Sequence, residues 1–151
     1  MTGELEALID ANWITAMRTG AVATLAMRTF RPSHTKIHSL MGLGSIARAT
    51  MTCMIHEFDN EHLHVRLLRY KDQAERFAQE FSHHSNVTFT ICDTIEEWVS
   101  DADVVISAIT DAKEMIVPNT DMLKPGVLLV PIHMRGFQNC DRIFDKVFGD
   151  D

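Results

Sequence analysis

Residues 36–48 contain Gly42-x-Gly44-x-x-Ala47, with a short apolar run before the glycines and a helix-like stretch after them. Small residues at this spacing do one kind of chemistry well: they bring main-chain N–H groups against a diphosphate. Gly42 permits the tight turn, Gly44 lets the backbone approach a pyrophosphate, and Ala47 lets the helix pack closely on the strand. The main chain of Ser45 and Ile46 completes the cradle, because the first turn of a helix offers unpaired N–H groups and the positive end of its dipole. An ordinary strand-to-helix turn can carry the same glycines. The reading therefore rests on the strand before and the helix after.

Other polar residues fall where such a site needs them. A site for NAD wants an acid after the second strand to hold the ribose 2′-hydroxyl. Here that place reads Leu68-Arg69-Tyr70-Lys71, with no acid until Asp72. Arg69 and Lys71 suit a 2′-phosphate, so NADP(H) is expected over NAD(H). Ser107 and Thr110 close a buried-type strand and belong to the carboxyl edge, where parallel sheets bind ligands. His133, Arg135 and Asp141 follow the last buried strand and are the candidate catalytic residues, with His133 suited to acid–base work near neutral pH. A loop histidine without a task is the plainer alternative. His62-x-His64 and His83-His84 lack a completed ligand set, so no metal site is expected.

The elements that must position these residues alternate. Trp13, Ile14, Met17, Ala21, Leu25 and Ala26 recur at helical spacing over 10–28, and Phe30-Arg31-Pro32-Ser33 ends that helix. Strand 36–41 leads to helix 45–57, strand 63–68 to helix 72–82, and strand 87–91 to a short helix at 94–100. Thr94 followed by Glu97 is a capping-box pattern for the short helix. Strands at 103–108 and 127–131 flank a Pro125-Gly126 turn, and 144–148 is expected to be a last strand. Such alternation implies right-handed βαβ units. The expected fold class is α/β, a Rossmann-like doubly wound, mostly parallel sheet with helices on both faces. No repeat, low-complexity segment or linker divides the chain.

Bulk properties narrow the function. The chain has 151 residues, net charge −7 and 46% hydrophobic residues. No basic face is available for nucleic acid, and no apolar run reaches the length of a membrane span. The acidic N-terminus lacks a signal-peptide pattern. Cys53, Cys92 and Cys140 are an odd count without CxxC spacing, which suits free thiols in a reducing cytoplasm.

The ordered set of motifs resembles a known family. Asp10-Ala-Asn-Trp-Ile-Thr-Ala-Met-Arg18-Thr19-Gly20-Ala21-Val22 resembles the "T-A-x-R-T-A-A" helix of the ornithine cyclodeaminase/mu-crystallin family. The glycine turn follows in the same order. Ala102-Asp103-Val104-Val105-Ile106 matches that family's "A-D-v-v-v" strand, and Lys124-Pro125-Gly126 its "l-x-P-G" turn. The resemblance covers roughly residues 9–151. It implies a Rossmann domain that binds NAD(H) or NADP(H) for lyase or dehydrogenase chemistry on amino and imino acids. It also implies that Arg18 binds the substrate carboxylate, a task a guanidinium fork suits. Two departures stand out: Ile46 replaces a glutamine in the turn, and Arg135 falls where cyclodeaminases carry an aspartate. Full-length members have a further N-terminal substrate and dimerisation domain. Residues 1–30 are thus expected to be a leading helix from that connection and 31–151 the cofactor domain. An apolar face left on the leading helix points to self-association.

Overall fold

The computed structural model describes residues 3–133 and 135–149. Five strands, β1 (Ile37–Met41), β2 (Leu63–Leu68), β3 (Val87–Cys92), β4 (Val104–Ser107) and β5 (Leu128–Pro131), form one sheet in the order β3-β2-β1-β4-β5. Every pairing is parallel, with Leu40 opposite Leu67 on one side and Ile106 on the other. The order reverses at β1, so the crevice between β1 and β4 is the switch point where such sheets bind ligands.

Helices α1 (Asn12–Phe30), α2 (Ser45–Glu57) and α3 (Gln73–Glu80) cover one face. Met27, Met51, Met54, Ile55, Phe77 and Phe81 pack there on Leu40, Val65, Leu67 and Ile106. The other face is covered by the short α4 (Ile95–Val99), with Trp98 and Val99, and by irregular segments carrying Val117, Phe137 and Cys140. The Thr94 hydroxyl accepts from Glu97 N at 3.2 Å, as the capping pattern requires. The Glu97 carboxylate accepts from Asp93 N at 3.1 Å.

Two expectations need correction. Residues 144–148 form no strand. A further parallel strand needs a crossover of a dozen or more residues, and the chain after β5 is spent elsewhere. Gly136, Phe137, Asn139 and Cys140 dock on the loop after β4, and the Phe148 ring stacks on Phe30, with centroids 4.1 Å apart. The packing face of α1 also differs. Its buried residues are Gly20, Ala23, Thr24 and Met27, whereas Trp13, Ile14, Val22 and Leu25 are exposed. Small side chains let α1 lie close on α2: a Cβ on Gly20 would sit 2.6 Å from Thr50 N. Gly20 touches Ala49 and Thr50, and Arg28 pairs with Glu57 at 3.1 Å. The two helices therefore run in the same direction, and both N-termini point toward the carboxyl edge of the sheet.

The "A-D-v-v-v" and "x-P-G" segments prove to be one device. The Asp103 carboxylate accepts from Lys36 N at 2.7 Å and Ile37 N at 2.9 Å, and it pairs with the Lys124 ammonium. It thereby ties the start of β1 to the turn before β5. Burial pushes this carboxyl up, but Lys124 and the two main-chain donors outweigh it and hold the group at about 2.

Candidate functional site

The glycine turn links β1 to α2 at the switch point. Gly42 has φ +75°, and a Cβ there would lie 2.5 Å from the Ala108 carbonyl carbon. Only glycine allows the turn to seat against the loop after β4. Gly44 is the residue before the helix. Its N–H donates to the Gly42 carbonyl at 2.7 Å, and its carbonyl accepts from Arg48 N at 3.1 Å. A Cβ at Gly44 would meet only the Gly42 carbonyl oxygen, at 3.9 Å. The turn therefore presents open space in front of the helix. Among the described residues no side chain caps α2, and no acidic residue stands in its first turn. Its leading N–H groups keep the unpaired, electropositive character of a free helix start. Ala47 is fully buried beneath it.

Arg48 braces this turn from behind and has no counterpart in the sequence reading. Its Nη1 donates to the Leu43 carbonyl at 2.7 Å, its Nε pairs with Glu80 at 2.7 Å, and the guanidinium lies over Phe77. The basic residue just after the glycines was visible, but its partner on α3 lies 32 positions away.

Beside the turn is a cleft of about 430 Å³ lined by Ile46, Ala108, Ile109, Thr110, Asp111, Ile132, His133 and Arg135. It occupies the carboxyl ends of β4 and β5. The structure thus gathers Ile46, Thr110, His133 and Arg135, expected separately, around one space. Ser107 is fully buried at the end of β4 and shares a 2.6 Å hydrogen bond with His133 Nε2. Burial lowers the His133 pKa, more than the Arg135 main chain and the Asp111 carboxylate raise it, so the neutral ring is favoured. Asp111 joins this group unannounced. It stands among polar loop residues, and only the docking of two loops gives it a place.

The remaining expected residues stand elsewhere. Asp141 is exposed in the turn 140–142, outside the cleft lining. Arg18 is exposed on α1, two residues before the Gly20 contact, and is carried toward the same sheet edge. Arg69 follows β2 and is held by the carboxylates of Glu75 and Asp93. Lys71 is exposed with φ +53°. Among the described residues no group of three His, Cys, Asp or Glu could hold a metal. No described helix is long and apolar enough to cross a membrane.

A doubly wound parallel sheet with a glycine turn at its switch point defines a Rossmann-type domain. The chain belongs to the ornithine cyclodeaminase/mu-crystallin family, whose model matches residues 1–140. It is 32% identical over 125 residues to the ketimine reductase mu-crystallin of Mus musculus, covering 82% of this chain and 37% of that protein. Among solved structures it resembles the Δ1-pyrroline-2-carboxylate reductase of Thermococcus litoralis in complex with NADH and L-proline. That match has 28% identity and a TM-score of 0.72, over 87% of this chain and 40% of the other. An archaeal alanine dehydrogenase with bound NAD, 20% identical with a TM-score of 0.70, shares the fold over 85% of this chain and 38% of the other. The chain spans about two fifths of the length of these relatives.

Proposed function

We propose that this chain is the dinucleotide-holding part of an oxidoreductase or deaminating lyase acting on an amino or imino acid. The observation that carries the reading is the uncapped start of α2 behind Gly44, with open space where a Cβ would point. A pyrophosphate fits there, on the main chain of Gly42, Gly44, Ser45, Ile46 and Ala47. With the pyrophosphate on this turn, one half of the dinucleotide falls toward β2 and the other toward the cleft at β4 and β5. Thr110 then serves the second half from the cleft lining, and the buried Ser107 acts through its hydrogen bond to His133.

NADP(H) is the favoured cofactor. No carboxylate stands at 68–71 to take a 2′-hydroxyl, and Arg69 and Lys71 are the cations at that edge. Glu75 and Asp93 orient the Arg69 fork, and Lys71 adds charge that no described carboxylate neutralises. The bound cofactor supplies or accepts hydride; the protein supplies position and electrostatics. Arg18 contributes a carboxylate contact from α1. His133, held by Ser107, and Arg135 are the polar groups for the reacting end.

The test is Gly44→Val. Its backbone, at φ −89°, suits any residue and the added atoms enter open space. The variant is expected to melt a few degrees below the parent and remain folded, since valine is a poor N-cap and replacing the glycine there costs on the order of 1 kcal/mol. It should lose at least tenfold in NADPH affinity by fluorescence titration. Equal affinity in the two proteins would remove the turn from the site.

A second reading, a non-catalytic binding module, is favoured by the exposed apolar side chains of α1, Trp13, Ile14, Val22 and Leu25. Turnover of amino or imino acids with cofactor separates the two.

A further inference from the structure

The glycines that make room at the head of α2 also make the turn loose. Gly42 and Gly44 flank Leu43, and glycine rotates more freely than any other residue. A peptide that turned over here would swing a carbonyl oxygen into the space before the helix, where it would repel a phosphate. The Leu43–Gly44 peptide is instead held at both ends. Its N–H donates to the Gly42 carbonyl at 2.7 Å, and its carbonyl accepts from Arg48 Nη1 at 2.7 Å. The next carbonyl, that of Gly44, accepts from Arg48 N at 3.1 Å. Two consecutive carbonyls therefore turn back onto one residue. In a planar trans peptide the N–H points opposite to the C=O, so this leaves the Ser45 N–H facing forward. Main-chain N–H groups turned outward in this way are what an anion seat requires.

Arg48 is itself fixed from outside the turn. Its Nε pairs at 2.7 Å with Glu80, the last residue of α3, and its guanidinium lies over Phe77 of the same helix. Among the described residues no other hydrogen bond or ion pair joins α2 to α3. The first turn of α3 carries Glu75, which holds Arg69. The Glu80 carboxylate offsets the charge of Arg48, so what the guanidinium adds is geometry. One planar fork spans a carbonyl and a carboxylate at once, which the compact ammonium of a lysine does not reproduce.

We propose that Arg48 is a positioning residue of the dinucleotide seat: with Glu80 behind it, it holds the Leu43–Gly44 peptide so that main-chain N–H groups, and no carbonyl, face the pyrophosphate. The inference rests on the proposed function for the identity of the ligand. Arg48 acts through the turn and does not touch the cofactor.

The test uses the whole 151-residue chain, below the melting temperature of every variant. Methionine keeps a long side chain and a good helix former at this position. Arg48→Met should weaken NADPH and NADH by the same factor, at least fivefold, in fluorescence titration. Arg48→Lys should fall between it and the parent. Glu80→Gln should cost at least twofold in the parent and nothing further in Arg48→Met, because the two residues act as one unit. Without cofactor, hydrogen exchange at the Gly44 amide, followed by NMR, should quicken at least fivefold in Arg48→Met, while Val65 and Leu67 in β2 keep the parent rate. An arginine that only stabilised the fold would lower the melting temperature and leave these readouts alone. Parent-like affinity in Arg48→Met, an unchanged Gly44 rate, or a loss confined to NADPH would overturn the inference and leave the dinucleotide reading standing. A parent chain that binds neither dinucleotide would overturn both.

Discussion

His38 shows what a single side chain contributes to this molecule and when. It lies in β1, 1% exposed, with neither ring nitrogen hydrogen-bonded. Burial, and then the charge of Arg31, lowers its pKa from 6.5 to about 4. The folded value lies below the unfolded one, so unfolded chains bind the proton first. Its contribution to stability is whole above pH 6.5 and is lost as pH falls through 4. At 1.36 kcal/mol per pKa unit the loss amounts to about 3 kcal/mol. Urea unfolding at pH 7, 5.5 and 4 should show this decline, and His38→Leu should flatten it without costing stability at pH 7. An unchanged slope in the variant would assign the acid limb to other groups. Gly42 and Gly44 differ at this same scale. The first is glycine because its backbone and its neighbour demand it; the second has open space around it, which the proposed pyrophosphate site uses.

At the scale of elements, the sheet was legible and its cover was less so. Buried strands announce themselves as short apolar runs, and helix 45–57 kept its bounds; of its apolar residues Ile46, Met51, Met54 and Ile55, the last three are buried and Ile46 lines the cleft. The small residues of α1 hid its true face. Large apolar side chains give the stronger periodic signal, but close helix packing selects Gly20, Ala23 and Thr24. Gly20→Val should therefore cost about 1–3 kcal/mol by overpacking, read as a lowered melting temperature. A parent-like value would mean that α1 is not seated as described. Residues 144–148 looked like a strand because Phe144, Val147 and Phe148 flank charges, yet pairing depends on what the intervening chain can reach. The docking of the segment after β5 on the loop after β4 could not be read at all. Gly136 gave no local sign that Ile116 and Ala112 would crowd it. For the same reason His133 and Arg135 were visible as chemistry, but neither Asp111 nor the Ser107 contact was.

The molecule as a whole combines a Rossmann-type sheet edge with a helix, α1, whose outer apolar residues are exposed. Leu25, 52% exposed, lines a groove of about 300 Å³ between α1 and α2, and Trp13, near the start of α1, is 73% exposed. Apolar surface left in water favours association. Sedimentation should show a concentration-dependent dimer that Leu25→Asp shifts to monomer. A monomer at all concentrations would contradict this expectation and leave the site unaffected. The chain carries net charge −7, and Arg69 is already paired with Glu75 and Asp93, so a 2′-phosphate at the end of β2 would have to be drawn locally against the field of the whole chain.

The proposed site holds a dinucleotide on the Gly42–Ala47 turn, with its 2′-phosphate at Arg69 and Lys71. Calorimetric titration of the purified chain with NADPH and, separately, with NADH tests it most directly. One site per chain, micromolar affinity for NADPH and weaker binding of NADH are expected. Failure to bind either would contradict it, and equal affinity for the two would remove Arg69 and Lys71 from the choice of cofactor.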